Sequence, residues 1–571
     1  MIESRRRLVT WAAVLGWAGV LTALLLWPIT RSGYLLGHDM VFTPRQPLDL
    51  ASIGVSSASP RAVPVDALVA LAERVVDGAV VGRLALIVAV LAAGIGAAVL
   101  LRSSSLAARL ATCGVAIWNP FVVERLALGQ WALIWAYAAL PWVVLAVARG
   151  RGRAGWLARA VTVAAASITP TGGLIAAGTA ISVAVGLRRP RREVGAVAGM
   201  ACVLQLPWLV PALVSTAAAT SDPAAATAFS ARAEHAGGTL LSLVDGGGIW
   251  DADVVPGSRS GPLPWLWLAV LVASAIYGAR PLVERLGPRL VLTLTVLAGA
   301  GLVLAVLPSV PGGDAAVRTA IAHVPGAGLL RDAQKWVLPL VLLESLLVGA
   351  ALGRVRDQVR EVPWRVVLVV AALAVPVIVL PDAAATLRPT LDPVRYPGDW
   401  AAVATRMSGA DAAVLPWGSY RTFTWAPDRS VLDPAPRLLP VATVVDDRLA
   451  VSGTLLRGED PRAAAVGRAF LGGPDLAARL APLGIRWVVV EYGTPGAVPD
   501  LAGLRQVYRG NDVSLYEVPG PVAAIRPFAA RTALAVVGDG LAGLTLVGLG
   551  GWALVGALRR RHDAARDLSE A

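Results

Sequence analysis

Charged residues are scarce in this chain. They make up 16% of its 571 residues, whereas hydrophobic residues make up 56%. Soluble globular domains contain about 25% charged residues, so this deficit excludes an ordinary soluble protein. The mean hydropathy of +0.65 points the same way. The composition therefore predicts a protein embedded in lipid.

Cysteine and histidine are also rare. Cys113 and Cys202 both lie in apolar segments, so neither a disulfide framework nor a zinc site can be built from them. The four histidines, at positions 38, 235, 323 and 562, lack the spacing of metal ligands. Asp245, Asp251 and Asp253 surround three glycines and could bind a divalent cation through oxygen atoms, but their spacing matches no ligand loop. We therefore expect no metal and no cofactor.

Lysine occurs once, so arginine carries nearly all of the positive charge. Basic residues are retained on the cytoplasmic side of short loops in membrane proteins. Seven arginine clusters separate the long apolar stretches, at positions 5–7, 102 and 109, 149–153, 188–192, 280–289, 354–365 and 559–561. The clusters predict cytoplasmic loops, and they account for the net charge of +13 without a nucleic-acid partner. The alternate loops then lie outside the plasma membrane.

The apolar stretches predict about twelve transmembrane helices of roughly 17–25 residues each. They lie near 8–28, 82–101, 106–122, 130–147, 157–170, 172–187, 194–214, 263–279, 289–308, 336–353, 365–381 and 531–557. Both termini are then cytoplasmic. A Thr-Pro-Thr-Gly-Gly sequence at 169–173 interrupts one apolar run. Two short helices joined by an outer loop keep every arginine cluster on the cytoplasmic side. One kinked helix would instead place all later loops on the opposite side of the membrane.

Three regions follow from this pattern. Residues 1–381 form a multi-helix membrane domain with outer loops at 29–81, 215–262 and 309–335. In residues 382–528, short β-like runs alternate with helical patterns, which predicts an extracytoplasmic α/β domain inserted before the last helix. This domain has no histidine and no Ser-His-Asp cluster, so we interpret it as a stabilising or acceptor-docking domain. Residues 529–571 hold the last transmembrane helix and a basic cytoplasmic tail.

His38 and Asp39 lie in the first outer loop, about ten residues after the first helix. Apolar residues flank them on both sides, so Asp39 would be partly desolvated at the membrane surface. Partial desolvation makes a carboxylate a better proton acceptor, which suits a general base acting on a sugar hydroxyl. An ordinary solvated loop aspartate is the alternative. His38 is a candidate to orient Asp39 or to contact a donor.

Arg331, Asp332 and Lys335 directly precede a predicted helix at the outer surface, and Trp336 follows them as an interfacial anchor. Two cations beside a helix amino terminus make a candidate phosphate site. Basic residues at a membrane end often only meet lipid headgroups. On the outer side, however, they oppose the usual charge bias and call for a further reason.

Two other outer loops contain candidate supporting residues. Glu124 and Arg125 lie between two predicted helices, where we expect a local ion pair, with a second active-site carboxylate as the alternative. His323 lies in the same outer loop as Arg331. Polar residues are common in loops, so that position alone assigns His323 no role.

Several of these segments together resemble a known family. The many helices, the long first outer loop with its aspartate and the tethered outer domain resemble the GT-C superfamily of polyprenyl-phosphate-sugar-dependent glycosyltransferases. The segments 119–131, 330–336, 483–490 and 513–518 are similar to segments of the actinobacterial arabinofuranosyltransferase D group. The resemblance implies a catalytic carboxylate in the first outer loop, and Asp39 matches it by position. It also implies a polyprenyl-phosphate-linked sugar as donor.

The sequence therefore predicts an inverting glycosyltransferase that acts on an envelope glycan or glycolipid outside the plasma membrane. Asp39 would be the base, and Arg331 and Lys335 would hold the departing phosphate. A non-catalytic membrane scaffold or a lipid-intermediate transporter is the alternative. A transporter is expected to show internal repeats and ionisable residues near the middle of its helices. We find no repeat, and within the predicted helices only Glu344 and Asp539 stand out.

Overall fold

The computed structural model describes residues 2–525 and 529–570. The predicted boundary at 528 and the side chains at 5–7 and 560–562 lie outside the described residues. The helices are α1 Ile2–Leu25, α2 Val65–Ala72, α3 Gly78–Leu100, α4 Leu106–Ile117, α5 Pro120–Ala127, α6 Trp131–Arg149, α7 Gly152–Ala166, α8 Pro170–Gly186, α9 Arg191–Val203, α10 Leu206–Val214, α11 Ala225–Ala228, α12 Gly238–Val244, α13 Leu263–Leu286, α14 Pro288–Val306, α15 Gly313–His323, α16 Leu338–Gln358, α17 Val362–Val379, α18 Ala383–Leu391, α19 Gly398–Ala404, α20 Ala435–Leu438, α21 Pro461–Leu471, α22 Leu476–Leu480 and α23 Ala529–Glu570.

The helices confirm a polytopic α-helical architecture. Within residues 2–525 and 529–570, nine helical segments are long and apolar enough to cross a membrane. They are Leu8–Leu25, Gly78–Leu100, Leu106–Ala127, Trp131–Arg149, Leu263–Leu286, Pro288–Ser309, Gln334–Gln358, Val362–Val379 and Ala529–Arg559. The other three predicted crossings correspond to α7, to α8 and to the pair α9 and α10, which is bent by 57°. The total of about twelve crossings stays a prediction.

The interrupted run at 157–187 folds as two helices rather than as one kinked helix. Helix α7 begins two residues after Gly150, which follows α6, and Arg159 in the middle of α7 donates to the carbonyl of Gly150. Arg189, just after α8, reaches the carbonyl of Ala148 on α6. The start of α7 and the end of α8 therefore lie at the same end of α6, which makes α7 and α8 an antiparallel pair. This arrangement keeps the predicted order of the loops.

The arginine-rich loops meet at one end of the helix bundle. Arginine side chains there bond to carbonyls of neighbouring helices: Arg149 to Leu100, Arg153 to Trp552 and Arg354 to Tyr277. At the opposite end, Trp118 donates to the carbonyl of Leu380 and Thr390 donates to that of Ala127. The two ends differ in charge as the sequence predicts, and which end faces the cytoplasm stays a prediction.

A small sheet-containing domain follows α17. Its strands are β3 Asp411–Leu415, β4 Tyr420–Phe423, β5 Ala426–Leu432, β6 Thr443–Val444, β7 Leu449–Val451, β8 Thr454–Leu456, β9 Ile485–Glu491, β10 Arg505–Arg509 and β11 Val513–Glu517. The main sheet has the order β10-β11-β9-β3-β6, in which β9, β3 and β6 are parallel and β10 and β11 pair antiparallel. The hairpins β4–β5 and β7–β8 lie outside it. Strands β3–β11 all fall inside the region predicted to be α/β.

The first outer loop is attached to this domain. Its short hairpin consists of β1 Leu36–Gly37 and β2 Met40–Val41. Leu36 and Val41 are buried in the same apolar cluster as Trp400 and Val431 of the sheet domain. The amide of His38 donates to the carbonyl of Ser430 in β5. The turn between β1 and β2 is therefore held against the sheet domain by its backbone and by apolar side chains on both strands.

Helix α16 packs closely against α4 at Gly349. A β-carbon at this position would overlap the hydroxyl of Thr112 and lie 2.5 Å from the carbonyl oxygen of Ala108. Small residues permit this kind of backbone approach between membrane helices, where van der Waals packing drives association. The contact joins the helix that follows the candidate phosphate segment to the helix that leads into α5.

We predict that Gly349→Ala separates α4 from α16 and destabilises the protein by about 1–3 kcal/mol, the usual range for overpacking. The measurement is the thermal unfolding midpoint of the purified protein in detergent. Gly178→Ala in α8 is the matched control, since a β-carbon there meets no atom within 4 Å. The control should keep or raise the midpoint because alanine favours a helix. Equal midpoints for both variants would contradict this account.

Candidate active site

A cavity of about 590 Å³ lies between the helix bundle, the first outer loop and the sheet domain. Four predicted site residues line it: Asp39, Arg331, Asp332 and Lys335. Residues that the sequence did not single out also line it, among them Arg61, Gln130, Trp131, Tyr420 and Arg437. Segments far apart in the sequence therefore bring carboxylates and cations together in one space.

Asp39 is held in the turn between β1 and β2. Its backbone amide donates to the carbonyl of Leu128 at 3.2 Å. Its carboxylate accepts hydrogen bonds from the side-chain amide of Gln130 at 3.2 Å and from the hydroxyl of Tyr420. His38, which precedes it, has a positive φ of 46° and is fixed through its backbone to β5. The carboxylate of Asp39 therefore has a defined position at the cavity wall.

Gly129 allows this turn to lie against the bundle. It has a φ of +77°, and a β-carbon on it would lie 2.7 Å from the amide nitrogen of Asp39 and 2.5 Å from the carbonyl oxygen of Gly37. Only glycine combines that backbone conformation with such close contact. The loop after α5 and the turn that contains Asp39 therefore pack backbone to backbone.

Tyr420 reaches Asp39 because its neighbour in β4 is anchored. Arg421 is buried between Asp433 at 2.8 Å and Glu491 at 2.5 Å inside the sheet domain. Successive side chains of a strand point to opposite faces, so the adjacent Tyr420 is directed out of that interior and towards the cavity. Burial raises the pKa of Tyr420 well above its usual range, and the carboxylate of Asp39 raises it further. The phenol therefore stays protonated and donates to Asp39.

The cations of the cavity differ in their partners. Arg61 and Arg331 both approach Glu459, at 3.0 Å and 3.7 Å. Burial lowers the pKa of Arg331 to about 10, and the nearby Arg61 acts in the same direction. Lys335 is only 8% exposed, and its ammonium group makes no hydrogen bond or ion pair with any described residue. An anion in the cavity would therefore compensate charges that the protein leaves partly unpaired.

Asp332 faces the same cavity but is already paired. Arg125 binds it through two nitrogens, at 2.6 Å and 2.8 Å, and the guanidinium is fully buried. Burial opposes ionisation of Asp332, but Arg125 outweighs it and holds the pKa of this carboxyl below its usual range. Arg125 also donates to the side-chain oxygen of Gln130 at 2.7 Å. It therefore connects the phosphate segment to the residue that binds Asp39.

The predicted ion pair between Glu124 and Arg125 is wrong. Adjacent residues on α5 point about 100° apart, so their side chains cannot face each other. Glu124 instead accepts a hydrogen bond from Gln334 at 2.5 Å and lies 4.0 Å from Arg259. Glu124 and Arg125 thus support Gln334 and Asp332 respectively, on either side of the same short segment. Neither of the two lines the cavity.

His38 and His323 do not line the cavity either. His323 is exposed at the end of α15, where its ring contacts the carbonyl of Thr319. Asp245, considered above for a cation, is paired with Arg259 at 2.5 Å and with His235 at 3.2 Å. In the described ranges, no group of three or more histidine, cysteine or acidic side chains could hold a metal ion.

Comparison with known proteins gives a likeness at the level of the fold. No protein-family profile matches the sequence, and no curated protein matches it. The structure of arabinofuranosyltransferase AftD from Mycobacteria matches with a TM-score of 0.55 and 18% identity, over 89% of this chain and 40% of that one. A mutant form of the same enzyme matches with a TM-score of 0.52 and 19% identity, over 89% and 42%. The chain shares the AftD fold.

The likeness confirms the fold expected from the resemblance, that of a polytopic membrane protein with a sheet-containing domain. The chain spans about two fifths of the length of the two AftD structures. At 18–19% identity the agreement is one of fold. The likeness therefore assigns no role to Asp39, Arg331 or Lys335.

We predict that Arg125→Met destabilises the protein by about 3–5 kcal/mol because it leaves Asp332 buried without its partner. The double variant Arg125→Met/Asp332→Leu should recover much of this loss, since it removes both charges. Thermal unfolding in detergent measures both effects.

A surface ion pair provides the control for this comparison. Arg31 pairs with Asp392 at 2.9 Å, but their side chains are 48% and 27% exposed. Exposed pairs contribute about 0–1 kcal/mol, so Arg31→Met should have little effect. If Arg125→Met is as mild as Arg31→Met, the buried pair is not needed to hold the phosphate segment.

Proposed function

We propose that this protein is a membrane glycosyltransferase that moves a sugar from a polyprenyl-phosphate donor to a glycan or glycolipid of the cell envelope. One observation carries the proposal: Asp39, Arg331 and Lys335 line a single cavity at the end of the bundle opposite the arginine-rich loops. A carboxylate that can accept a proton and cations that can bind a phosphate are the groups that transfer from a phosphate leaving group requires.

The reaction follows from this arrangement. The acceptor hydroxyl attacks the anomeric carbon of the donor sugar and inverts it. The bond between that carbon and the phosphate oxygen breaks, and its electron pair leaves with the polyprenyl phosphate. Asp39 accepts the hydroxyl proton, while Arg331 and Lys335 bind the phosphate as its negative charge increases. Arg61 adds a third cation to the same wall of the cavity.

The cavity also reaches the first residues of two apolar helices. Trp131 and Leu133, in the first turn of α6, form part of its wall together with Thr169 to Thr171 before and at the start of α8. Both helices extend from there into the apolar bundle. A polyprenyl chain could therefore lie along them while its phosphate reaches Lys335.

The charge asymmetry of the loops sets the orientation that we propose. Arginine-rich loops face the cytoplasm, so both termini are cytoplasmic, and the cavity and the sheet domain lie on the outer face of the plasma membrane. About twelve helices are then membrane-spanning, with α7, α8 and the bent pair α9–α10 as short or broken spans. The acceptor is a glycan or glycolipid of the cell envelope.

We predict that Asp39→Asn lowers transfer by about 10²–10⁴-fold, the usual contribution of a general base. The test is glycan linkage analysis of envelope from a strain that lacks the protein, complemented with wild type or variant at equal membrane levels. Lys335→Met should also fail to restore the linkage in the same strain, because it removes a cation that has no hydrogen-bond or ion-pair partner among the described residues. Purified protein with polyprenyl-phosphate-linked arabinofuranose is the first donor assay, since AftD is an arabinofuranosyltransferase.

Asp428→Asn is the matched control. Asp428 is exposed, lies outside the cavity and has a φ of 61° that asparagine tolerates. The control should restore every linkage that wild type restores. If Asp39→Asn restores them as well, the protein is a scaffold or a transporter of lipid intermediates rather than a transferase.

We also predict a role for Tyr420 as a positioning residue. Tyr420→Phe removes the hydroxyl that donates to Asp39 and stabilises its charged form, so the acid limb of the pH–rate profile should move to higher pH. At the pH optimum, the rate should fall by about 10- to 100-fold, since one hydrogen bond to a charged group contributes roughly 1.5–3 kcal/mol and Gln130 still binds Asp39. Steady-state rates between pH 4 and 8 measure both effects.

A purely structural role for Tyr420 would give a different result. It would lower the amount of active protein without moving the profile. Tyr508→Phe is the comparison, because Tyr508 also donates to a carboxylate of the sheet domain, Asp399, away from the cavity. It should leave the profile in place.

A further inference from the structure

A second cavity lies at the arginine-rich end of the bundle. It has a volume of about 480 Å³ and is formed where α6 ends and where α7 and α9 begin. The first cavity contains Gln130 and Trp131 at the other end of α6. Helix α6 has 19 residues, which corresponds to about 28 Å, close to the roughly 30 Å of a bilayer's hydrocarbon core. The two cavities therefore lie about one membrane thickness apart.

Two arginines of this second cavity are fixed by the backbone. Arg159 is 3% exposed and donates to the carbonyls of Ala146 and Gly150 and, at 2.8 Å, to Glu193. Arg189 donates to the carbonyl of Ala148 at 2.7 Å. The last carbonyls of a helix have no partner within it, so these two side chains complete the end of α6. This role also holds their guanidinium groups rigidly at the cavity wall.

The other two arginines have no such structural role. Arg151 and Arg192 line the cavity and are exposed, and their side chains bond to no residue in the described part of the chain. The Nε of Arg189 is buried without a partner. Four guanidinium groups thus surround one carboxylate, Glu193, which already binds Arg159.

Two helix amino termini add to this positive charge. Helices α7 and α9 have 15 and 13 residues, and no side chain caps either of them at its first residue. Their first amide groups and their dipoles favour an anion at this end. Trp156 also lines the cavity, stacked on Arg159 at 4.6 Å, and tryptophan is common at the headgroup level of membranes.

We propose that this cavity binds the phosphate headgroup of an anionic phospholipid. The arginines supply the charge and the hydrogen-bond donors for a phosphate, and basic cavities between membrane helices are typical headgroup sites. The position of the cavity, one hydrocarbon thickness from the candidate active site, places it at the headgroups of the other leaflet. The proposal does not depend on the proposed reaction.

The test compares phosphatidylglycerol with phosphatidylcholine of the same acyl chains, added to the full-length protein in detergent. Native mass spectrometry measures binding, and the thermal unfolding midpoint measures stabilisation. We expect phosphatidylglycerol to bind and to raise the midpoint, with phosphatidylcholine at least tenfold weaker. Arg151→Gln/Arg192→Gln should weaken binding of phosphatidylglycerol by on the order of tenfold, because each arginine near a headgroup contributes about 1 kcal/mol.

Arg188→Gln/Arg191→Gln is the matched control. It removes the same charge from the same end of the bundle, but both side chains are exposed and neither lines the cavity. Equal weakening in the two double variants would overturn the site, because diffuse positive charge would then explain binding. Displacement of the lipid by inorganic phosphate at equal concentration would overturn the phospholipid as the ligand.

Discussion

The buried ion pair between Arg125 and Asp332 is the interaction on which the candidate site depends. Arg125 binds Asp332 of the segment before α16 and also donates to Gln130, and Gln130 in turn donates to Asp39. Tyr420 of the sheet domain completes the chain of hydrogen bonds at Asp39. One guanidinium group therefore fixes the distance between the proposed base and the proposed phosphate site.

A second group of buried charged residues supports this network of hydrogen bonds. Gln334, adjacent to Lys335, donates to Glu124 and to the carbonyl of Gly246. Arg259 is buried near Glu124, within bonding distance of Asp245 and Glu234. Burial lowers the pKa of a guanidinium, but these carboxylates outweigh it and raise the pKa of Arg259 above its usual range. Such a cluster resists motion because any displacement leaves a buried charge unpaired.

The sequence predicted the fold class and the residues with the strongest local signals. Hydropathy and arginine spacing are properties of contiguous segments, so the helices and the division of the chain followed from them. Asp39, Arg331 and Lys335 were singled out because each breaks a local rule, an acid among apolar residues or cations on the outer side. Tyr420, Arg61 and Gln130 break no such rule. Their positions at the cavity depend on contacts between distant segments, which no local pattern contains.

The predicted pairing of Glu124 with Arg125 was wrong for a related reason, because sequence adjacency does not determine which way helical side chains point.

The turn between β1 and β2 has a consequence for how the protein is made. This turn is synthesised long before its partners in the sheet domain, which are the carbonyl of Ser430 in β5 and the apolar side chains of Trp400 and Val431. During translation the turn therefore lacks these partners until all helices up to α17 have been synthesised. Contacts between such distant segments form late and slowly, since a very long loop has to close first. The segment that contains the proposed base thus leaves the ribosome well before the sheet domain and reaches its final structure only once that domain is present.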